Sequence, residues 1–172
     1  MTSITETEYP ALALRTLCPD NQIDLTCVSH ATMMEVLGNF VHASKALDAL
    51  KKITVYGKGR PGGTVDGAFR PAAPVDPQVY HAILGIATEG GELADALLHT
   101  LRNGEPLDRV NLKEELGDLE WFEALLRDRL KLTPEEVRTA NIAKLEARYA
   151  KKKFEAEAAL NRDHDAERKA LG

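Results

Sequence analysis

The sequence predicts an all-α protein. Ala, Leu, Glu and Lys dominate its 172 residues, and β-branched runs with period two are almost missing. Apolar residues instead recur at helical spacing, and helix start and stop signals separate the stretches that carry them.

The composition sets bounds. A chain of this length holds one domain with a real core, and 44% hydrophobic with 28% charged residues is ordinary for a soluble globular protein. No apolar run approaches the roughly 18 to 20 residues that a bilayer crossing needs, so no membrane span is expected. The start, MTSITETEYP, has acids and no basic or apolar signal segment, which fits a cytoplasmic protein. Cys18 and Cys27 lack zinc-knuckle spacing and His partners, and are expected to be reduced thiols. A net charge of -5 argues against a surface for duplex nucleic acid, while a small basic pocket for a phosphorylated small molecule stays compatible with it.

A first helix is expected from about Ser29 to Lys52, with apolar positions Met33, Val36, Leu37, Phe40, Leu47 and Leu50. The stretch GKGRPGGTVDGAFRPAAPVDP, residues 57–77, is too rich in glycine and proline for a helix or strand interior and predicts a long loop. Asp76-Pro77 is an N-cap followed by proline, opening a second helix of about Gln78 to Arg102 that Asn103-Gly104 closes. Asp108 caps a third, Arg109 to Leu130, and Thr133-Pro134-Glu135-Glu136 forms a capping box for a fourth extending to about Leu160. The tail NRDHDAERKALG predicts a short helix or docked arm. Residues 1–75 thus form an N-terminal extension with the first helix and the loop, and residues 76–172 a helical core, within one structural domain overall. A shift of 47 residues overlays Gly38, Asp48, Ala49, Leu50 and Gly57 on Gly85, Asp95, Ala96, Leu97 and Gly104. The overlay is within chance for Ala/Leu-rich helices, and suggests only that the first helix packs beside the second.

The second helix has an apolar stripe of Ile86, Gly90, Leu93, Leu97 and Leu101, and Glu89 and Glu92 project from its flank. Gly85 and Ala96 are expected to leave open volume beside these acids. On the third helix Glu115 shares an azimuth with Leu119, Phe122 and Leu126, and Asp118 follows one turn on. If the short loop NGEPLD makes these helices antiparallel neighbours, the two acid pairs converge on one seam. Two unit charges about 4 Å apart repel by roughly 4 kcal/mol at an effective dielectric near 20, so such a pocket needs shared protons or cations. Hard oxygen ligands without Cys or His point to Mg²⁺, with Mn²⁺ as a substitute.

One Glu-x-x-Glu is common on solvated helix faces. Two pairs, Glu89/Glu92 and Glu115/Asp118, with 22 residues between Glu92 and Glu115, are far more specific. Here the sequence resembles the MazG-like, all-α nucleoside triphosphate pyrophosphohydrolases, whose signature is Glu-x-x-Glu, a spacer of similar length, then Glu-x-x-Asp. LGIATEGGELADAL, NGEPLDRVNLKEELGDLEWF, ANIAKLEARY and FEAEAALNRDHDAER carry the likeness over about residues 79–168, most closely to single-domain phage and bacterial forms. The resemblance implies a four-helix-bundle-type fold completed by dimer or tetramer formation. It implies hydrolysis of nucleoside triphosphates to monophosphate and pyrophosphate, with Glu89, Glu92, Glu115 and Asp118 as the catalytic, Mg²⁺-ligating set. Asn141 and Lys144 of NIAKL match the family's Asn-x-x-Lys and are implied contacts to phosphate or sugar oxygens, with Arg148 one turn on. Some similar phage members prefer dGTP, which favours purine substrates.

Where many members carry a further glutamate before the first ligand, this chain has Thr88, which implies fewer bound ions or an outer hydroxyl in that role. The long loop and the N-terminal region also depart from the family. Glu114 is expected to be exposed, and His42 and Lys45 to be edge residues rather than nucleotide contacts. Trp121 and Phe122 have core spacing that favours packing or a subunit interface over stacking on a base. GKGRPGG lacks the ending and preceding strand of a phosphate-binding loop. The competing readings are a non-catalytic helical module that oligomerises or binds a partner, and a hydrolase of another compound such as phosphoribosyl-ATP, dUTP, dCTP or an alarmone.

Overall fold

A computed structural model describes residues 3–63 and 65–172. Among these the regular structure is helical, with no β-strand, as the composition predicts. The chain divides into two compact units, Val28–Lys131 and a second in which the residues up to Cys27 join Leu132–Gly172.

The unit Val28–Lys131 contains three long helices. Taking the short N-terminal helix Tyr9–Ala13 of the other unit as α1, they are α2 (His30–Thr54), α3 (Pro77–Asn103) and α4 (Arg109–Leu130). Their ends lie where the sequence signals them. Ser29 Oγ accepts the Thr32 amide at the start of α2, and Asp76 takes the Gln78 and Val79 amides before Pro77. Asp108 takes those of Val110 and Asn111 to open α4. Gly104 ends α3 in the left-handed conformation, φ 73°, which costs a glycine nothing.

Side-chain pairings give the directions. Along α2, Lys45, Lys51 and Thr54 meet Asp95, Glu89 and Tyr80 in turn, so α2 and α3 are antiparallel. Phe122 abuts Gly85 while Arg129 reaches Asp76, so α3 and α4 are antiparallel as well. The first helix therefore packs beside the second, and α3 packs along both α2 and α4. Two glycines permit this closeness. A Cβ on Gly91 would stand 1.8 Å from Ser44 Oγ, and one on Gly85 would stand 2.2 Å from the Phe122 ring. Gly85 therefore does not leave open volume beside the acids. Phe122 fills it.

The apolar stripes also fall differently from expectation. The inward face of α2 carries Val41, Ser44 and Lys51, while Val36, Phe40 and Leu50 are 62%, 48% and 43% exposed. On α3 the buried residues include His81, Gly85, Thr88 and Glu89, and Leu97 and Leu101 lie outside at 40% and 38% exposure. On both helices the buried face is displaced from the expected stripe, so that Lys51, Thr88 and Glu89 face inward together with Ala82 and Leu98, while Val36, Phe40, Leu97 and Leu101 lie outside. On α4 Glu115 and Phe122 are both buried on one face, in the expected register.

The second unit holds α1, α5 (Pro134–Arg148), α6 (Ala156–Leu160) and α7 (His164–Ala170). Thr133 and Glu136 form the predicted capping box of α5. The fourth helix does not run to Leu160. It leaves helical geometry at Tyr149, and the chain turns through Lys152 at φ 54° before the short α6. Arg148 and Arg162 both hold the buried Glu167 of α7, which docks the tail on α5. Cys18 and Cys27 are both free thiols. No described helix is long and apolar enough to cross a membrane.

Candidate metal centre

Glu89 and Glu92 lie one turn apart on α3, and the antiparallel approach of α4 brings Glu115 to them. One carboxylate oxygen of each of the three lies within 4.8 Å of the others. Glu89 and Glu115 are buried at 6% and 5% exposure, while Glu92 is exposed. Asp118, one turn beyond Glu115, is exposed and outside this group. Three of the four acids expected to converge are thus together.

Polar neighbours hold the acids in place. Asn111, one turn before Glu115 on α4, donates from Nδ2 to Glu115 Oε1 at 2.6 Å. Lys51 of α2 is buried, and its Nζ donates to Thr88 Oγ1 at 2.7 Å and Glu89 Oε1 at 3.2 Å. Asp48 stands 3.7 Å from the same ammonium and also pairs with Lys52. Thr88 is fully buried, so its hydroxyl is satisfied within this network, next to Gly85 O at 2.9 Å and Glu89 Oε1 at 3.1 Å. Ser44 Oγ donates to the Thr88 carbonyl at 3.3 Å.

The electrostatics record a shortage of positive charge. Burial first, then the negative charge of Glu92, push the Glu115 carboxyl up to about 7, against the lowering effect of the Asn111 hydrogen bond. Glu92 is raised as well, by loss of water around its carboxyl and by the charge of Glu89. A divalent cation would relieve both effects at once, since three carboxylates this close are a set of hard oxygen donors. The residues present therefore fit such an ion.

Beside the acids a cleft of about 660 Å³ runs along α3 toward the α3–α4 turn, lined among others by Asp48, Glu92, Asp95, His99 and Glu115. Lys45 lies on its wall and pairs with Asp95 at 2.7 Å, while His42 and Glu114 are exposed. On the far side of Lys51 an aromatic cluster closes the interior. Phe122 lies 5.1 Å under the ammonium, and the His81 ring meets Phe122 edge-on at 5.4 Å. Burial and the Lys51 charge lower the His81 pKa. Phe122 is core, as its spacing indicated, and Trp121 is 55% exposed at the cluster's rim.

Asn141, Lys144 and Arg148 belong to the other unit. Asn141 Oδ1 accepts the Tyr9 hydroxyl at 3.2 Å, and Asn141 and Lys144 line a cleft of about 810 Å³ with Val137 and Leu171. Arg148 makes two hydrogen bonds to Glu167, at 2.8 and 3.0 Å.

Sequence reasoning missed Lys51 and Asn111 as parts of the centre, whereas Thr88, singled out as an outer hydroxyl, lies beside Glu89 in this network. Asn111 had a signal, since it stands four residues before Glu115 on the same helix face. Lys51 had none, because the loop between α2 and α3 hides its register against Glu89. No protein-family model, curated protein or solved structure matches the chain.

Proposed function

We propose that the chain is a Mg²⁺-dependent nucleoside triphosphate pyrophosphohydrolase of the MazG-like type, converting (d)NTP to (d)NMP and pyrophosphate. The observation that carries this reading is the convergence of Glu89, Glu92 and Glu115, two of them buried, from two antiparallel helices. Buried acids this close are costly without a cation, and the motif that supplies them resembles that family.

When bound, the divalent ion would neutralise triphosphate charge and make an attacking water more acidic. The chain's own residues do the rest. Glu89 and Glu115 present ligand oxygens from rigid helices, and Asn111 fixes the Glu115 carboxylate so that its ordering is complete before substrate arrives. Glu92, exposed on the cleft, would supply a third carboxylate to such an ion. A cleft of about 660 Å³ falls in the range that takes a nucleotide. Asp118, Asn141, Lys144 and Arg148 enter as ligand and phosphate contacts on the resemblance alone, as does the preference for purine substrates, dGTP first. The exposed apolar rows of α2 and α3 support assembly into a homodimer or homotetramer.

The test is Glu115→Gln, assayed for Mg²⁺-dependent release of pyrophosphate from dGTP beside the wild type. The variant is expected to lose turnover while keeping its helical circular dichroism. Turnover at the wild-type rate would remove Glu115 from the metal set. Inactivity of the wild type on every triphosphate would favour the helical module or another phosphorylated substrate.

A further inference from the structure

We propose that Lys51 sets the metal stoichiometry of the acidic centre, its ammonium standing in for a second ion so that one divalent cation binds per chain. This deepens the metal-centre reading and rests on it.

Three observations carry it. First, Lys51 is buried at 5% exposure, and a long cationic side chain is almost never enclosed unless a fixed partner holds it. Second, its contacts lie inside the ligand set. It donates to Glu89 Oε1 at 3.2 Å, and the Thr88 hydroxyl at 2.7 Å fixes the ammonium from the adjoining residue. One oxygen of Glu89, Oε1, is thereby already engaged by an internal cation. Third, the charges close. Within the group that converges, Glu89, Glu92 and Glu115 bring three negative charges, with Asp118 outside it, and Lys51 reduces them to two, the charge of a single Mg²⁺ or Mn²⁺. The neighbouring Asp48 does not disturb this balance, because Lys52 pairs with it.

A second ion near Glu89 would have to face the Lys51 ammonium, which stands 3.2 Å from that carboxylate and is itself 5% exposed. Repulsion between them disfavours that arrangement strongly. Lys51 is thus a positioning residue: it acts on the ion through Glu89 and through its charge.

The experiment counts Mn²⁺ bound to the 172-residue chain without nucleotide, by calorimetric titration and by electron paramagnetic resonance of the free ion. Wild type should bind one Mn²⁺ per chain, Lys51→Met should bind two, and Lys51→Arg, which keeps the charge, should return to one. If Lys51→Met loses its helical circular dichroism, Lys51→Gln keeps a donor for Thr88 and Glu89 and should also bind two. Two ions in the wild type, or one in a folded Lys51→Met or Lys51→Gln, would overturn the inference and leave the metal centre standing. No Mn²⁺ on the wild type would overturn the metal reading itself.

Discussion

Gly91 of α3 lies against Ser44 of α2 so closely that a Cβ on the glycine would stand 1.8 Å from Ser44 Oγ. The same serine hydroxyl bonds the Thr88 carbonyl, so this contact sets the depth at which α2 meets the acid-bearing turn. Gly91→Ala should force the helices apart and destabilise the chain by about 1 to 3 kcal/mol, the usual cost of overpacking. Chemical denaturation checks the stability loss. Mn²⁺ affinity should fall with it, because Lys51 and Glu89 separate.

The Glu115 carboxyl should give the metal-free protein a particular pH dependence. Its folded-state value of about 7 lies above the ordinary 4.5, so between those values the folded state binds more protons than the unfolded state. The associated stability is complete below about 4.5 and is lost as pH rises through about 7, by about 3 kcal/mol at most. Denaturation in EDTA across this range should show the fall, and Glu115→Gln should flatten it. Saturating Mg²⁺ at neutral pH should restore the lost stability in wild type and not in the variant. A wild-type profile that rises toward neutral pH would contradict this assignment.

Arg148 and Lys144 should behave differently when removed. Arg148 is bonded twice to buried Glu167, and Arg162 holds the other side of the same carboxylate. Both guanidinium groups hold the Glu167 pKa well below the ordinary carboxylate range. Arg148→Ala should therefore lower the melting temperature and loosen the C-terminal tail to proteolysis. Lys144→Ala should leave the melting temperature near wild type and raise KM for nucleotide. Equal thermal losses for the two variants would contradict this division.

Much of the fold is legible in the sequence because helix ends are written locally. Ser29, Asp76-Pro77, Gly104, Asp108 and the Thr133 capping box each act within four residues of themselves, and each marks an observed end. The end of α5 is not local. No glycine or proline stands between Tyr149 and Leu171, and propensity alone extends the helix. At this end Tyr149 is buried and Arg148 is bonded to Glu167 of α7, contacts that depend on residues far along the chain. The centre follows the same division. Glu89, Glu92 and Glu115 announce themselves by spacing, whereas Lys51 depends on the register of two helices separated by a long loop. The apolar stripes on α2 and α3 misled for a related reason. Apolar periodicity identifies a face that wants burial, and on these helices the burial within the unit went to the face beside it.

That outward apolar face gives a further expectation. Val36, Phe40, Leu97 and Leu101 are too exposed for a monomer's core, and rows of this kind mark association surfaces. Light scattering after size exclusion should return a dimer or tetramer, and Phe40→Glu should shift it toward monomer with its helicity retained. A wild type that stays monomeric at tens of micromolar would contradict the proposed assembly.

The central claim is tested most directly by identifying the products formed from dGTP with Mg²⁺, by ³¹P nuclear magnetic resonance, in water enriched in ¹⁸O. The account predicts dGMP and pyrophosphate, with no products when EDTA replaces Mg²⁺. Formation of dGDP and phosphate, or turnover that survives removal of the metal, would contradict it.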